Sequence, residues 1–241
     1  MKTPIEVQSP KSIVQRVAAC SIGSALQALR SGLSMPIRLL LALAVTVSLT
    51  GCFGFLKPAQ PTARHFVLSS LPAVEPAAVP SRPVVVGVGP ITLAAYLFNT
   101  SFAVRKGTNE IDYLPSTFWA ERLDTGLQRV LAANIATLLP TDQIRLSAWQ
   151  TVDVSAEVYV AIERFDVDTR GQGMLVAWWR VLSPGGEKTL KAGECRLERQ
   201  GPAPDTNPSG AVATLSELAA DLSRQVAQAV KEAPPASRER Q

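Results

Sequence analysis

The chain is poor in the residues that perform catalysis: among 241 residues there is one histidine and there are three cysteines. Any Ser-His-Asp or Cys-His mechanism would have to use His65, and no Gly-x-Ser-x-Gly elbow supplies a serine. His65 and Cys195 cannot assemble the four ligands of a structural zinc site. A Walker loop is absent as well. These absences lead us to expect no catalytic residues, no metal and no cofactor. Asp166 and Asp168, flanked by Arg164 and Arg170, read as a solvated face of mixed charge rather than a calcium site. No apolar run reaches the roughly 20 residues of a membrane-spanning helix.

The most apolar run, Leu39 to Leu49, follows Arg38 and ends at Leu49-Thr50-Gly51-Cys52. A basic residue, about a dozen apolar residues and small residues before a cut describe a secretory signal. The last four resemble the lipobox of bacterial lipoproteins. That resemblance implies that Cys52 is acylated and becomes the new N-terminus. Each buried methylene contributes about 0.8 kcal/mol, so two chains anchor stably. Phe53 after the cysteine, rather than Asp, favours the outer membrane under the sorting rule of enteric bacteria. Residues 35–51 are then the signal peptide. Residues 1–34 are either an extension of the leader or an over-long gene model, because Met35-Pro36-Ile37-Arg38 reads as a natural start.

The formal charge of +4 belongs to the leader. Removing its five basic residues (Lys2, Lys11, Arg16, Arg30, Arg38) and Glu6 from the 24 and 20 of the chain leaves 19 of each sign. A neutral domain offers no electrostatic footprint for nucleic acid. Cys20 precedes the cut and Cys52 would carry lipid, so only Cys195 remains as a thiol in the fold. A disulfide within the domain is excluded, and stability must come from a hydrophobic core.

Residues 52–64 carry Pro58 and Pro61 without periodicity and read as a tether. At about 3.1 Å per residue it spans up to roughly 35 to 40 Å. A single domain is expected over 65–232, with a disordered tail over 233–241. Short strands are expected at His65 to Ser70, Val84 to Val88 and Ile144 to Ala148. Gly87-Val88-Gly89-Pro90 reads as a turn, since Pro90 offers no N–H to a phosphate. Ser101 to Arg105 and Glu110 to Leu114 flank Lys106-Gly107-Thr108-Asn109 as a hairpin. A helix capped by Ser116 or Thr117 follows, with Trp119, Leu123, Leu127, Val130, Leu131, Ile135 and Leu138 as its apolar stripe, until Pro140 stops it. Val152 to Ile162 alternate strictly, and then the apolar phase slips to Phe165 and Val167. This predicts a bulge near Glu163-Arg164 in a long strand. Met174 to Leu182 and Thr189 to Arg199 complete a three-stranded meander.

Trp178 and Trp179 are adjacent on its middle strand and must face opposite ways. One belongs under the helices; the other is a candidate partner contact unless a loop covers it. A last helix carries Leu215, Leu218, Leu222, Val226 and Val230, starting at the Thr214-x-x-Glu217 capping box or a turn or two earlier at Asn207-Pro208. The expected fold class is α+β: a mixed, largely antiparallel sheet with two main amphipathic helices packed on one face.

Together, the lipobox, Val86-Gly-Val-Gly-Pro-Ile-Thr-Leu-Ala-Ala-Tyr-Leu97, Phe118-Trp119-Ala120-Glu121 as a helix start, Leu123-Asp124-x-Gly126-Leu127 and the final helix resemble the PqiC-like family. Its members are also called ABC-type transport auxiliary lipoproteins. The similarity covers most of Arg64 to Lys231. Ala94 stands where a proline is usual, and Phe98-Asn99 replaces a more polar Asp-Arg pair. The resemblance implies a lipoprotein on the periplasmic face of the outer membrane, not an enzyme. Its implied partners are an MCE-domain protein and an inner-membrane component that move lipids between membranes, with self-association into a homo-oligomer open to it. The alternatives are a stand-alone structural or stress-related envelope lipoprotein and, from a third class, a secreted hydrolase. Cys52→Ala is expected to accumulate as an unanchored, uncleaved or miscut precursor. Normal globomycin-sensitive processing of that variant, read on a gel, would contradict the lipobox.

Overall fold

The computed structural model describes residues 62–72, 84–139, 141, 143–146 and 148–233, which fall in the unit Pro61–Gln241. The leader, Leu49-Thr50-Gly51-Cys52, most of the tether, Pro140 and the tail after 233 lie outside the described residues. Among the described residues, nine strands form one sheet: β1 (Arg64–Phe66), β2 (Val86–Val88), β3 (Thr92–Leu93), β4 (Ser101–Gly107), β5 (Glu110–Trp119), β6 (Ile144–Leu146), β7 (Ala156–Asp168), β8 (Gln172–Leu182) and β9 (Thr189–Gln200). The two α-helices of the described residues, α1 (Leu123–Leu138) and α2 (Pro208–Glu232), pack on each other and on the sheet.

Strand β7 joins everything else. One of its edges pairs with β8 along almost its whole length; the other is shared in turn by β2, β3 and β4, all parallel to it. From there β2 leads to β6, β4 to β5 and β1, and β8 to β9. Three long antiparallel ladders, β4–β5, β7–β8 and β8–β9, carry most of the pairing, whereas the parallel ladders are two or three residues each. The fold is α+β with a mixed sheet, as the alternation implied.

The apolar alternation of β7 selects which face the helices cover. Val158, Val160 and Ile162 are buried, and after a register shift between Ile162 and Arg164 so are Phe165 and Val167. The expected bulge is therefore present, and it keeps every large apolar side chain of β7 on the helix side. Helix α1 lies against β2 and β6, and α2 runs across β7, β8 and β9. Buried Asn134 of α1 donates to Ser223 Oγ of α2 at 3.0 Å and accepts from the Leu71 N–H at 2.7 Å. Ser216 Oγ accepts from the Ser69 N–H at 3.1 Å. The segment after β1 is thus strapped to the helix pair by hydrogen bonds to Asn134 of α1 and Ser216 of α2.

Several local expectations are corrected. The chain at Pro115-Ser116-Thr117 does not cap a helix. It is an irregular stretch of β5 where the ladder with β4 shifts register, with Ser116 at φ 55° and Trp119 closing the strand. Pro115 lacks the N–H a regular ladder needs, and the helix starts instead at Leu123 without a side-chain cap. Trp119 still reaches the core, where its ring lies 5.4 Å from that of Phe102. Val152 belongs to a 3₁₀ turn over Thr151–Asp153 and is exposed, so the long strand starts only at Ala156. Of the two starts open for α2, Asn207 is the cap, accepting from the Gly210 N–H at 2.9 Å; Thr214 lies inside the helix and donates to Gly210 O.

The charged pair in β7 is not a solvated face. Asp166 is completely buried, paired with Arg105 Nη2 at 2.8 Å and Arg164 Nε at 3.0 Å. Tyr96, from the 3₁₀ turn Ala95–Phe98, donates to Asp166 Oδ2 at 2.8 Å and accepts from the Phe165 N–H at 3.3 Å. Only Asp168 keeps a local role, accepting from the Arg170 and Gln172 N–H groups at the turn into β8. Asp166→Ala would leave two arginines without their buried counter-charge, and we expect it to cost about 3 kcal/mol. An unchanged urea midpoint would contradict the buried pair.

Candidate docking surface

The helices cover one face of β7, β8 and β9, and strand alternation turns a second set of side chains to the other. Register places Tyr159 of β7 directly opposite Arg180 of β8, and Ala161 opposite Trp178; Arg180 in turn faces Ala192 of β9. These residues share the face away from α2. Pro90, Thr92, Tyr159, Ala161, Trp178 and Arg180 line most of a depression of about 410 Å³ there, and Trp179 also borders it.

Each ring is held in place. Trp178 is 49% exposed, uncovered by any loop among the described residues, and its Nε1 donates to Glu163 Oε1 at 2.9 Å. The Tyr159 hydroxyl donates to Glu157 Oε2 at 3.3 Å. Burial, with Glu157 beside it, raises the Tyr159 hydroxyl above the usual phenol range, so it stays a donor. Glu157 is itself buried and also accepts from Trp149 Nε1 at 3.1 Å and the Gly185 N–H at 2.8 Å.

The Gly-x-Gly pair belongs to this packing rather than to a turn. A Cβ on Gly87 would stand 2.7 Å from the Trp149 ring, and one on Gly89 2.5 Å from the Tyr159 ring. Both positions need a bare backbone because an aromatic side chain lies across them.

The two tryptophans part as alternation requires. Trp179 is partly buried against the core, lies over Gly193, and has an Nε1 without a hydrogen-bond partner. Only Trp178 is offered openly to solvent. Tyr159 and Arg180 were not singled out from sequence; their signal is the i, i+2 spacing opposite the buried stripe, which acquires meaning once β7–β8 register is known. His65 is exposed on edge strand β1, stacked on Phe118 with ring centroids 5.6 Å apart. Among the described residues, no three His, Cys, Asp or Glu side chains converge as metal ligands, and no helix is long and apolar enough to cross a membrane.

The family described as ABC-type transport auxiliary lipoprotein component matches residues 66–227. The chain belongs to this family. The matched span includes the residues from Pro90 to Gly193 that line the depression, and Tyr96 and Asp166 as well. A crystal structure of an uncharacterized protein superimposes with a TM-score of 0.58 at 16% identity, covering 70% of this chain and 99% of that one. Protein XCC0632 from Xanthomonas campestris, assigned to DUF330, gives 0.55 at 12% identity over 70% of this chain and 98% of its own. At such identities the likeness is one of fold. No curated protein matches the sequence.

Cys195 lies under α2 on the helix side of β9, where burial pushes its thiol up to about 11. The thiolate fraction at pH 8 is then small, and the thiol is shielded as well. We expect no reaction with iodoacetamide at pH 8 in the folded protein and full reaction in urea, counted by mass spectrometry. Rapid labelling of the native protein would contradict this placement.

Proposed function

We propose that this protein is a lipid-anchored, non-enzymatic docking subunit of an MCE-type intermembrane lipid transport system, held on the periplasmic face of the outer membrane. The observation that carries the reading is the family match over residues 66–227, whose description is that of a transport auxiliary component. A subunit that serves a transporter needs a membrane attachment and a surface for its partner. Leu49-Thr50-Gly51-Cys52 fits the first requirement, with Cys52 as the acylated residue. For the second we take the uncovered sheet face, where Trp178 stands half exposed next to the Tyr159–Arg180 pair. Exposed tryptophan on an otherwise ordered sheet is the kind of residue that anchors protein interfaces.

A neutral domain held at the membrane associates by shape and apolar contact rather than by long-range steering. On this reading the partners are an MCE-domain protein and its inner-membrane component, with further copies of the chain available for self-association.

The test is affinity purification from detergent-solubilised, separated membranes, with mass spectrometry of the N-terminal peptide and of the co-purifying proteins. We expect an acylated Cys52 peptide in the outer-membrane fraction together with an MCE protein. A lipidated protein that comes down alone would overturn the docking role in favour of a stand-alone envelope lipoprotein.

A further inference from the structure

We infer that the β1 edge of the sheet, where His65, Val67, Phe98 and Phe118 gather beside Arg64 and Arg122, rests on the headgroup surface of the phospholipid membrane that holds the anchor. The inference rests on the acylation of Cys52 proposed above and names the contact that such an anchor would bring about.

Strand register collects these side chains. His65 of β1 lies opposite Phe118 of β5, which lies opposite Ser101 of β4, and the His65 and Phe118 rings stack 5.6 Å apart. Thr100 O accepts the Trp119 N–H at 2.7 Å, which brings Phe98, two residues earlier, to the same end of the ladder. Val67, directly after β1, is 50% exposed and Phe98 is 56% exposed. Arg122 holds its guanidinium 5.9 Å from the centre of the Phe98 ring, and Arg64 holds its own 5.1 Å from that of Phe66.

Two observations select a lipid surface as the occupant. The first is where the chain enters the fold. Cys52 and Arg64, the first residue of β1, are twelve positions apart, so even a fully extended connection keeps this edge within roughly 35 to 40 Å of the acyl chains. Strand β9, at the opposite edge, is five strand spacings from β1, roughly 24 Å further off. The second is the chemistry of the patch. Aromatic rings with a guanidinium alongside suit the boundary between acyl chains and headgroups, where the ring meets carbon and the cation meets phosphate. Glu121 and Asp124, the acids of the adjoining stretch, are paired with Arg129 and Arg122, whereas Arg64 forms no ion pair among the described residues. Depth is limited too: the outer side of β1 has no strand partner among the described residues, and its free backbone groups need the hydrated headgroup layer.

The test reconstitutes the full acylated lipoprotein in vesicles of phosphatidylethanolamine and phosphatidylglycerol, with one fluorophore at Thr100→Cys or, on β9, at Glu194→Cys. Both positions are exposed, and buried Cys195 is shielded from the label. With nitroxides on the lipid headgroups, we expect the Thr100 label to be quenched about threefold more than the Glu194 label. Phe98→Asp is expected to bring the two labels together with an unchanged circular dichroism spectrum. Equal quenching at the two positions, or quenching at Thr100 that Phe98→Asp leaves intact, would overturn the contact and leave the anchor standing. Shielding of the Thr100 label from iodide in detergent, rising with protein concentration, would overturn it in favour of a second copy of the chain. Mass spectrometry of the same sample judges the anchor separately: an unacylated Cys52 peptide overturns that reading and this contact with it.

Discussion

A single buried carboxylate holds the two halves of the sheet in register. Asp166 sits where β7 exchanges one parallel neighbour for the next, and a charge without solvent must be compensated by its surroundings. Arg105 comes from β4, Arg164 from β7 itself, and Tyr96 from the turn between β3 and β4. Tyr96 does two jobs at once: its hydroxyl donates to Asp166 and accepts the Phe165 N–H beside the bulge. Burial, and then Asp166, push that hydroxyl up to about 12, which keeps its proton in place as the donor. The joint lies on β7, the strand through which the β4–β5–β1, β2–β6 and β8–β9 parts of the sheet connect.

The same strand also divides the molecule into two faces with different uses. On one face Val158, Val160, Ile162, Phe165 and Val167 meet the helices and supply the apolar burial that stabilises the fold. On the other, Tyr159 and Ala161 are not needed for that core. They are free to join Trp178 and Arg180 in a surface feature. The bulge is what allows this separation to run the full length of a 13-residue strand.

Much of the architecture was legible because the signals are local. The hairpin turn at Thr108-Asn109, the β8–β9 meander, the phase slip at Glu163 and the amphipathic stripe of α2 each depend on neighbours within a few residues. The misreadings share a cause too. Trp119 satisfies a helical stripe with Leu123 and Leu127, yet as a strand residue it points into the same core, so periodicity could not separate the two states. Gly87 and Gly89 resembled turn punctuation, whereas their need is for space beneath Trp149 and Tyr159, which lie 62 and 70 positions further along the chain.

Composition and local pattern were by themselves enough to assign the mixed sheet with two helices and to point to the family. Tertiary structure alone decided that Asp166 is buried, since its partners Arg105 and Tyr96 are 61 and 70 residues away. It alone decided that Trp178 rather than Trp179 is offered to solvent, and that Tyr159 and Arg180 stand beside it. The reason is physical: alternation states that adjacent side chains face apart, but which face is buried, and what lies across from each residue, is set only when distant strands pair.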